Sequence, residues 1–299
     1  MSSMPTPAVR AVREAVPRVP ALSYFFPARN EAENVGPLVE EALVELERLA
    51  ERFEIICVDD GSSDGTAGIA DDLARRHPDV VRVVHHATNL GYGAAVRSGL
   101  AATRYGLVAF TDGDRQFHVA DLSLLLRHLD DPATATDVVA GYRIRRADAR
   151  IRLVYARAYR ACLRLFFGLR VRDPDCACKV FRRESLADVR LESGGAFLSE
   201  ELLIKISATG GTIVEQGVPH YPRPAGRASG ADPRVVARAV KDFWALRLRL
   251  WLDRAGALRR GEPVIGTPLE RASLHEAGRH PGPSQDGEDG DDRGSPDPP

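Results

Sequence analysis

Two carboxylates spaced two residues apart, Asp112 and Asp114, follow the apolar run Leu107–Thr111. Alternate side chains of an extended segment point the same way, and Gln116 continues the alternation with an amide oxygen. Oxygen ligands so arranged suit a hard divalent cation, Mg²⁺ or Mn²⁺, which would neutralise the oxygens of a diphosphate. Taken alone, however, the motif favours a solvated Asp-Gly-Asp turn at a strand end.

A second acidic motif, Asp59–Thr66, follows the apolar run Glu54–Val58. Its spacing imitates a calcium-binding loop, but such a loop follows a helix, and Glu54–Val58 has the pattern of a buried strand. The alternative is a helix N-terminus at which Asp64 or Ser62 caps the first turn. Capping does not explain the two adjacent carboxylates that open the motif.

The glycine-rich stretch Asn89–Gly99 looks at first like the fingerprint of dinucleotide-binding proteins. Its third glycine is displaced from that fingerprint, and the stretch does not lie in the first strand–helix–strand unit. The glycines are better explained by close approach of a helix to a strand or of the backbone to a ligand. The spacing thus disfavours a dinucleotide-dependent oxidoreductase.

Strand-like and helical runs alternate along the chain and would carry these motifs at strand ends. The patterns predict strands at Leu22–Pro27, Glu54–Val58, Val80–His85, Leu107–Thr111 and Gly211–Val218, and helices at Asn34–Arg52, Thr66–Arg76 and within Asn89–Ala102. This alternation predicts an α/β fold with a mainly parallel sheet and helices on both faces. Ligands of such sheets bind beyond the carboxyl ends of the strands, where the acidic motifs fall.

Together, the order and separation of the motifs resemble the family 2 glycosyltransferases of the GT-A fold, particularly the polyprenyl-phosphate sugar synthases. The matching stretches are Pro27–Asn34, Val58–Thr66, Asn89–Gly99 and Asp112–His118. Arg172–Pro174 with Lys179–Arg182 looks like the family's Asp-Pro-x-Ser-Gly-Phe segment, except that Cys176-Ala177-Cys178 replaces Ser-Gly-Phe. The resemblance covers about residues 22–254.

The resemblance implies a site for a nucleotide-diphosphate sugar. The residues implied to bind the nucleotide are Pro27, Ala28, Arg29, Glu31, Asp59, Asp60, Gly91 and Gly93, with one of the two aspartates on the base. Asp112, Asp114 and Gln116 match the family's metal motif for Mg²⁺ or Mn²⁺. Arg143 lies where family members often place a basic residue near the phosphates.

On the acceptor side, His220–Gly230 resembles the basic Gly/Ser loop that many family members fold over the acceptor. Arg223 and Arg227 would clamp a phosphate, whose geometry suits guanidinium, and Ser229 would add a hydroxyl. The alternative is a flexible, solvated connector.

The acceptor decides whether a general base is needed. A polyprenyl phosphate is already anionic, whereas a hydroxyl acceptor needs a base, for which Glu200 or Glu201 is the candidate. The alternative for that pair is a surface-charged helix start. The sequence favours metal-dependent, inverting transfer to a polyprenyl phosphate over transfer to a hydroxyl or non-catalytic binding of a sugar nucleotide.

Charge is balanced over the whole chain but not along it. Lys and Arg number 41 against 42 Asp and Glu, which excludes a histone-like polycation. Residues 262–299 carry nine acidic and three basic residues, so residues 1–261 carry 38 basic against 33 acidic, a net charge of about +5. We find no nucleic-acid recognition motif, and no nucleic-acid partner is expected.

Four segments are predicted: a flexible leader (1–20), a GT-A domain (21–232), a basic amphipathic helix (233–256) and a disordered acidic tail rich in Pro and Gly (257–299). Basic helices within Asp148–Phe167 and Arg234–Arg254 could lie on an anionic membrane or pack on the domain. No apolar run approaches the roughly 18 residues of a membrane span, although some family members carry C-terminal spans. Four cysteines without disulfide spacing predict a cytoplasmic protein, peripheral at the inner membrane face if the helices bind lipid.

Overall fold

The computed structural model describes residues 18–129, 135–144, 150–187, 189–226 and 233–259. Residues 1–17 of the predicted leader, residues 260–299 of the predicted tail, and both Arg227 and Ser229 lie outside the described residues. Residues 257–259, predicted to belong to the disordered tail, are instead the last residues of a helix.

Seven strands and seven helices make up the described part of the chain. The strands are β1 (Val19–Ala28), β2 (Ala50–Asp59), β3 (Val81–His85), β4 (Leu107–Phe110), β5 (Val138–Arg143), β6 (Lys179–Arg182) and β7 (Ile213–Val218). The helices are α1 (Ala32–Leu49), α2 (Thr66–Arg76), α3 (Tyr92–Ala102), α4 (Leu122–Leu126), α5 (Arg150–Phe167), α6 (Leu198–Ala208) and α7 (Pro233–Arg259). Short 3₁₀ turns span Val119–Asp121 and Arg183–Leu186.

The strands form one sheet in the order β3-β2-β1-β4-β6-β5-β7. Strand β6 runs antiparallel to β4 and β5, and the other neighbouring pairs are parallel. The predicted α/β fold with a mainly parallel sheet is confirmed. Near-continuous apolar runs such as Glu54–Val58 are expected in such a sheet, because its strands are buried on both faces.

A row of stacked rings crosses the middle of the sheet. The ring of Phe25 in β1 lies 5.3 Å from that of Phe110 in β4, which lies 5.8 Å from that of Phe181 in β6. Helix α3 approaches this row closely, because a Cβ atom on Gly99 would overlap the Phe25 ring. The close helix–strand approach predicted for the glycine-rich stretch is confirmed at this position.

The ends of seven strands meet at one edge of the sheet. Ala28, Asp59 and His85 lie side by side across β1, β2 and β3. Phe110, the last residue of β4, pairs with Lys179, the first residue of antiparallel β6. The loops that carry the acidic motifs therefore emerge next to one another.

The first helix ends earlier than its apolar periodicity predicts. It stops at Leu49 instead of Arg52, because Ala50 begins β2 by pairing with Val19. The Arg18 guanidinium also donates a hydrogen bond of 2.7 Å to the Ala50 carbonyl. Strand β1 thus begins two residues inside the segment predicted to be a flexible leader.

Helices α5 and α7 contact each other through aromatic side chains. The Phe167 and Phe243 rings are 4.9 Å apart, and the Phe166 and Trp244 rings are 5.2 Å apart. Six large apolar side chains of α7 remain more than half exposed: Val236, Val240, Trp244, Leu248, Trp251 and Leu252. Among the residues that the structure describes, no helix is long and apolar enough to cross a membrane.

Candidate functional site

The two carboxylates after β4 lie in a loop pressed against the end of β1. Gly113, between them, leaves no room for a side chain, because a Cβ atom there would lie 2.6 Å from the Pro27 carbonyl oxygen. Asp114 Oδ1 accepts the backbone N–H of Gln116 at 3.1 Å. Asp112 Oδ1 is buried and has no hydrogen-bond partner among the residues that the structure describes. An unpartnered buried carboxylate oxygen beside a second carboxylate is the arrangement that a bound cation would relieve.

The electrostatics of this loop agree with that interpretation. Burial and the charge of Asp114 raise the pKa of Asp112 to about 7, although Tyr92 and Lys179 act in the opposite direction. A divalent cation would reverse this effect by favouring the ionised carboxylate. Within the described ranges, no three His, Cys, Asp or Glu side chains are grouped to hold a metal. Asp112 and Asp114 remain the candidate ligands for a cation in this loop.

Arg223 contacts the loop after β4 and the loop after β1. Its guanidinium is 3.4 Å from Asp114 Oδ2 and forms an ion pair with Glu31. Its Nε donates to the Ala225 carbonyl at 2.7 Å. In this structure, a residue assigned by resemblance to the acceptor bridges two residues assigned to the donor and its metal.

Residues 220–226, called here the crossing segment, contact the loop after β4 at several points. The backbone N–H of Tyr221 donates to the Gln116 carbonyl at 2.9 Å, and Gln116 Nε2 donates to the Tyr221 carbonyl at 3.2 Å. The rings of His118 and Tyr221 are 4.3 Å apart. The metal-ligand role of Gln116 stays a prediction, since its amide nitrogen is used to hold the crossing segment.

The loop after β1 and the loop after β2 are joined by hydrogen bonds. Asn30, at φ 54°, accepts the Ser63 N–H on its side-chain oxygen at 2.9 Å. The N–H of Glu31 donates to the Thr66 hydroxyl at 2.8 Å, and burial raises the pKa of Glu31. Pro27 and Ala28 end β1, and Arg29 beside them is exposed. Both loops form a single surface at the sheet edge.

The N-cap of α2 is Gly65, which makes no side-chain cap hydrogen bond, so neither Asp64 nor Ser62 occupies the capping position that the sequence suggested. Asp64 Oδ1 accepts the N–H of Thr66, the first residue of α2, at 2.9 Å. Hydrogen bonds from Thr66 and from the backbone N–H of Ala32 lower the pKa of Asp64, outweighing the effect of burial. The calcium-loop interpretation was already disfavoured, and strand β2 indeed precedes the motif.

The adjacent carboxylates Asp59 and Asp60 are both buried and face different partners. Asp59 accepts the Ser62 N–H at 3.1 Å and lies 3.2 Å from His85 Nδ1. Asp60 accepts the N–H groups of Leu90 and Gly91, each at 2.9 Å. Asp60 thus anchors the glycine-rich loop, while the contact of either aspartate with a base stays a prediction.

The glycines of that loop serve close backbone packing. Gly91 has φ 95°, and a Cβ atom on it would lie 2.8 Å from the Gly194 carbonyl oxygen. A Cβ atom on Gly93 would overlap the Ser193 carbonyl. The sequence predicted close approach of a helix to a strand or of the backbone to a ligand, whereas both glycines approach the backbone of the loop before α6. Their contact with a nucleotide stays a prediction.

Arg143 is held by an acidic partner at the end of β5. Its Nε and Nη2 donate to the two oxygens of Asp173 at 2.6 and 2.7 Å, a bidentate pair that raises the pKa of Arg143 despite its burial. The adjacent Lys179 is fully buried and donates to the Pro174 carbonyl at 3.0 Å. These pairs fix the segment in which cysteines replace the family's Ser-Gly-Phe. A role for Arg143 at the phosphates stays a prediction.

Glu200 and Glu201 are buried, so the interpretation as a surface-charged helix start is wrong. Helix α6 packs with its first turn inward. Glu201 accepts the Ser193 N–H and pairs with Lys205, both at 2.7 Å. Glu200 Oε1 accepts the Tyr159 hydroxyl at 2.8 Å. Burial and the nearby Asp175 raise the pKa of Glu200 well above its usual range.

Three residues near the site were missed by sequence reasoning: Tyr92, Lys179 and His86. Tyr92 interacts with Asp112 from within the glycine-rich motif, where its hydroxyl is the one polar side-chain group between the glycines. Lys179 is one of three lysines in an arginine-rich chain and begins strand β6. The Tyr92 hydroxyl and the rare lysine at position 179 are visible in the sequence, but neither residue type identifies its partner without the fold.

Known proteins with similar sequences agree with this arrangement. Residues 23–190 match the model of a family described as Glycosyl transferase family 2. Polyprenol monophosphomannose synthase of Mycolicibacterium smegmatis is 31% identical over 247 residues, which cover 79% of this chain and 90% of that protein. Dodecaprenyl-phosphate galacturonate synthase of Rhizobium johnstonii is 30% identical over 171 residues, or 57% of this chain. The match covers 50% of the Rhizobium protein, so the chain spans about half of its length.

A solved structure shares the fold. Glucosyl-3-phosphoglycerate synthase from Mycobacterium tuberculosis, in complex with Mn²⁺ and uridine-diphosphate-glucose, aligns with a TM-score of 0.59. The alignment covers 83% of each chain at 20% identity. At that identity the likeness establishes the architecture, which is the GT-A type expected from the motifs.

Proposed function

The chain belongs to glycosyl transferase family 2, and on that premise we propose that it transfers a sugar from a nucleotide-diphosphate sugar to a polyprenyl phosphate. The observation that carries the proposal is the Asp112–Asp114 pair at the strand edge, with its unpartnered buried oxygen. The names of the Mycolicibacterium and Rhizobium relatives support a polyprenyl-phosphate acceptor. The donor class is supported by the sugar nucleotide in the mycobacterial neighbour.

The donor and the metal would share the carboxylate loop. Asp112 and Asp114, with Gln116, would hold Mg²⁺ or Mn²⁺, whose charge stabilises the leaving diphosphate. The loop after β1, with Glu31, and the loop after β2, with Asp59 and Asp60, would bind the nucleotide. A phosphate oxygen of the acceptor would attack the anomeric carbon as the bond to the diphosphate breaks. Attack from the opposite face inverts that carbon.

The state of Glu200 favours a phosphate acceptor over a hydroxyl. A phosphate oxygen is anionic at neutral pH, so positioning and electrostatic stabilisation suffice for its attack. A hydroxyl would need a base, and Glu200 is buried with its Oε1 accepting the Tyr159 hydroxyl, which places it poorly for taking a proton from an acceptor. Arg223, with the loop that continues to Arg227 and Ser229, would instead supply the positive charge and hydroxyl that a phosphate requires.

Helix α7 would bring the protein to the acceptor at the cytoplasmic face of a membrane. Its exposed face carries Trp244 and Trp251, each more than half exposed, together with basic side chains including the exposed Arg238 and Lys241. Trp at the margin of a basic amphipathic helix suits an anionic lipid surface. A polyprenyl phosphate would present its headgroup at that same surface.

The test is a thermal-shift panel of UDP-glucose, UDP-galacturonate and GDP-mannose with Mn²⁺, followed by transfer of the radiolabelled sugar. Polyprenyl phosphate in vesicles and a soluble hydroxyl acceptor, 3-phosphoglycerate, are compared as acceptors. We expect label in the lipid fraction that requires the metal. Label only in the soluble product would overturn the acceptor, and absence of donor binding would overturn the reaction.

A further inference from the structure

His86 joins the loop after β2 to helix α3. The residue directly follows β3, and its side chain is 8% exposed. Its Nδ1 lies 2.7 Å from Asp60 Oδ1, and its Nε2 lies 2.9 Å from the Ser98 hydroxyl. The ring therefore connects an acidic residue of the candidate donor site to a helix that packs on the core of the sheet.

The hydrogen bonds assign a direction to this chain of contacts. Asp60 accepts the backbone N–H groups of Leu90 and Gly91, so its carboxylate acts as an acceptor. His86 then donates from Nδ1 to Asp60, and in the neutral ring Nε2 accepts from Ser98. Three donors hold the carboxylate in one orientation. Removal of the His86 donor would free it to rotate, and with it the backbone of residues 90 and 91.

The order Asp60–His86–Ser98 imitates the charge relay of serine hydrolases, but the surroundings of Ser98 do not suit a nucleophile. Ser98 lies within helix α3, whose interior N–H groups donate to the preceding turn. An oxyanion site needs free N–H donors near the nucleophile. The adjacent Gly99 is pressed against the Phe25 ring. The arrangement therefore positions groups and does not attack a substrate.

We propose that His86 is a positioning residue of the donor site, fixing Asp60 and through it the backbone at Leu90 and Gly91. This inference rests on the proposed function, because the loop so fixed borders the edge assigned to the nucleotide. A preformed loop binds a ligand more tightly than one that must be ordered on binding. Loss of the His86–Asp60 bond should consequently weaken donor binding without altering the chemistry.

Two substitutions separate the two hydrogen bonds of the ring. In His86→Asn, the amide nitrogen stands near the position of Nδ1, so donation to Asp60 is kept and Ser98 is released. In His86→Gln, the longer amide reaches the position of Nε2, so the contact with Ser98 is kept and that with Asp60 is lost. Ser98→Ala is a milder variant that leaves both His86 and Asp60 in place. His85→Asn is the matched control, because His85 contacts Asp59 and Asp71 instead.

The first measurement is amide hydrogen exchange at residues 90 and 91, which needs no ligand. We expect exchange at least about tenfold faster in His86→Gln, and rates near those of the wild type in His86→Asn, Ser98→Ala and His85→Asn. Unchanged protection in a folded His86→Gln would overturn the proposal. If His86→Gln does not fold, His86→Asn provides the test. Faster exchange at residues 90 and 91 of His86→Asn, accompanied by an equal increase at amides throughout the protein, would also overturn the proposal.

The second measurement is calorimetric titration with the tightest-binding sugar nucleotide of the panel and Mn²⁺. We expect His86→Gln to raise the dissociation constant of the donor about tenfold while the KM for polyprenyl phosphate stays unchanged. An equal rise in both would indicate a general structural defect and overturn the positioning role. If the wild type binds no sugar nucleotide, the proposed function fails, whereas the exchange experiment still decides whether His86 fixes the loop.

Discussion

The proposed donor edge, formed by the loops after β1, β2, β3 and β4, and the proposed acceptor side, formed by residues 220–226 with helices α6 and α7, are held together differently. At the donor edge, backbone groups of successive loops hydrogen-bond to side chains of the neighbouring loop, as Glu31 does to Thr66 and Leu90 does to Asp60. On the acceptor side, long charged side chains reach across from distant elements, as Arg223 does to Glu31 and Asp114. Short backbone contacts fix a loop in one place, whereas long side chains can exchange partners when a ligand arrives.

The first prediction tests the rigid donor edge at its metal loop. Asp112→Asn or Asp114→Asn should lower kcat at least about 100-fold, because a charged ligand removed from the cation costs several kcal/mol of leaving-group stabilisation. Radiolabel transfer and Mn²⁺ titration measure the effect, and circular dichroism checks the fold. Asp72→Asn is the control, since Asp72 pairs with Arg75 on the surface of α2. Wild-type transfer in both site variants would remove the metal assignment.

The second prediction tests whether Arg223 serves the donor or the acceptor. Arg223→Ala should lower transfer to polyprenyl phosphate about 10- to 100-fold, because a bidentate phosphate contact is lost. Donor affinity, measured by calorimetry, should fall much less. Arg127→Ala, which removes an exposed guanidinium from Gln216, is the matched control. A fall in donor affinity as large as the fall in transfer would assign Arg223 to donor binding, in agreement with its ion pairs to Glu31 and Asp114 in this structure.

The difference between short contacts among neighbouring loops and contacts from distant elements also explains what could be predicted from the sequence. The donor motifs are contiguous, and each follows an apolar strand, so the rule that ligands bind at carboxyl strand ends places Asp59 and Asp112 at one edge. The glycine-rich loop was also predictable in kind, since only close approach explains Gly91 and Gly99. Sequence could not show that the atoms approached are those of Gly194 and Phe25, because these contacts join residues far apart in the chain.

The acceptor side was less predictable for a physical reason. Glu200 and Glu201 look like a solvated helix start, since charged residues in the first turn suit the helix dipole. Their burial is decided by partners elsewhere in the chain, such as Tyr159 for Glu200 and Ser193 for Glu201. Periodicity likewise extended the first helix to Arg52, whereas pairing of Ala50 with Val19 ended it earlier.

The third prediction concerns the exposed face of α7, which includes Trp244 and Trp251. Trp244→Ala combined with Trp251→Ala should lower binding to anionic vesicles about tenfold, because two rings that enter the lipid interface are removed. Sedimentation with vesicles that contain anionic lipid measures the loss, because basic helices bind to negatively charged membrane surfaces. Val44→Ala is the control, since Val44 is similarly exposed on α1.

Two outcomes would contradict the third prediction. Wild-type protein that ignores vesicles would show that α7 does not contact lipid. Equal loss in the Val44→Ala control would show that exposed apolar surface of any kind drives sedimentation. Binding should also weaken with added salt, because basic side chains contribute through screened charge.

The last prediction has the smallest expected effect on activity and separates a phosphate acceptor from a hydroxyl. Glu200→Gln should keep transfer within about threefold of the wild type, because a glutamine amide can donate a hydrogen bond as the protonated carboxyl does. A hydroxyl acceptor would instead need Glu200 as a base, and its loss would cost about 100-fold or more. Glu201→Gln is the contrasting variant, since it weakens the pair with Lys205 and should lower stability.

The pH dependence of stability checks the protonation state that this prediction assumes. Burial raises the pKa of Glu200 in the folded protein above the ordinary value of 4.5. Above pH 4.5 the unfolded chain has released a proton that the folded protein still binds, so the contribution of Glu200 to stability falls as pH rises. The fall ends once pH passes the folded pKa. Glutamine does not titrate, so Tm of Glu200→Gln should gain on that of the wild type from pH 5 to pH 8. A constant difference between the two melting temperatures across that range would mean that Glu200 is ionised in the folded protein and available as a base.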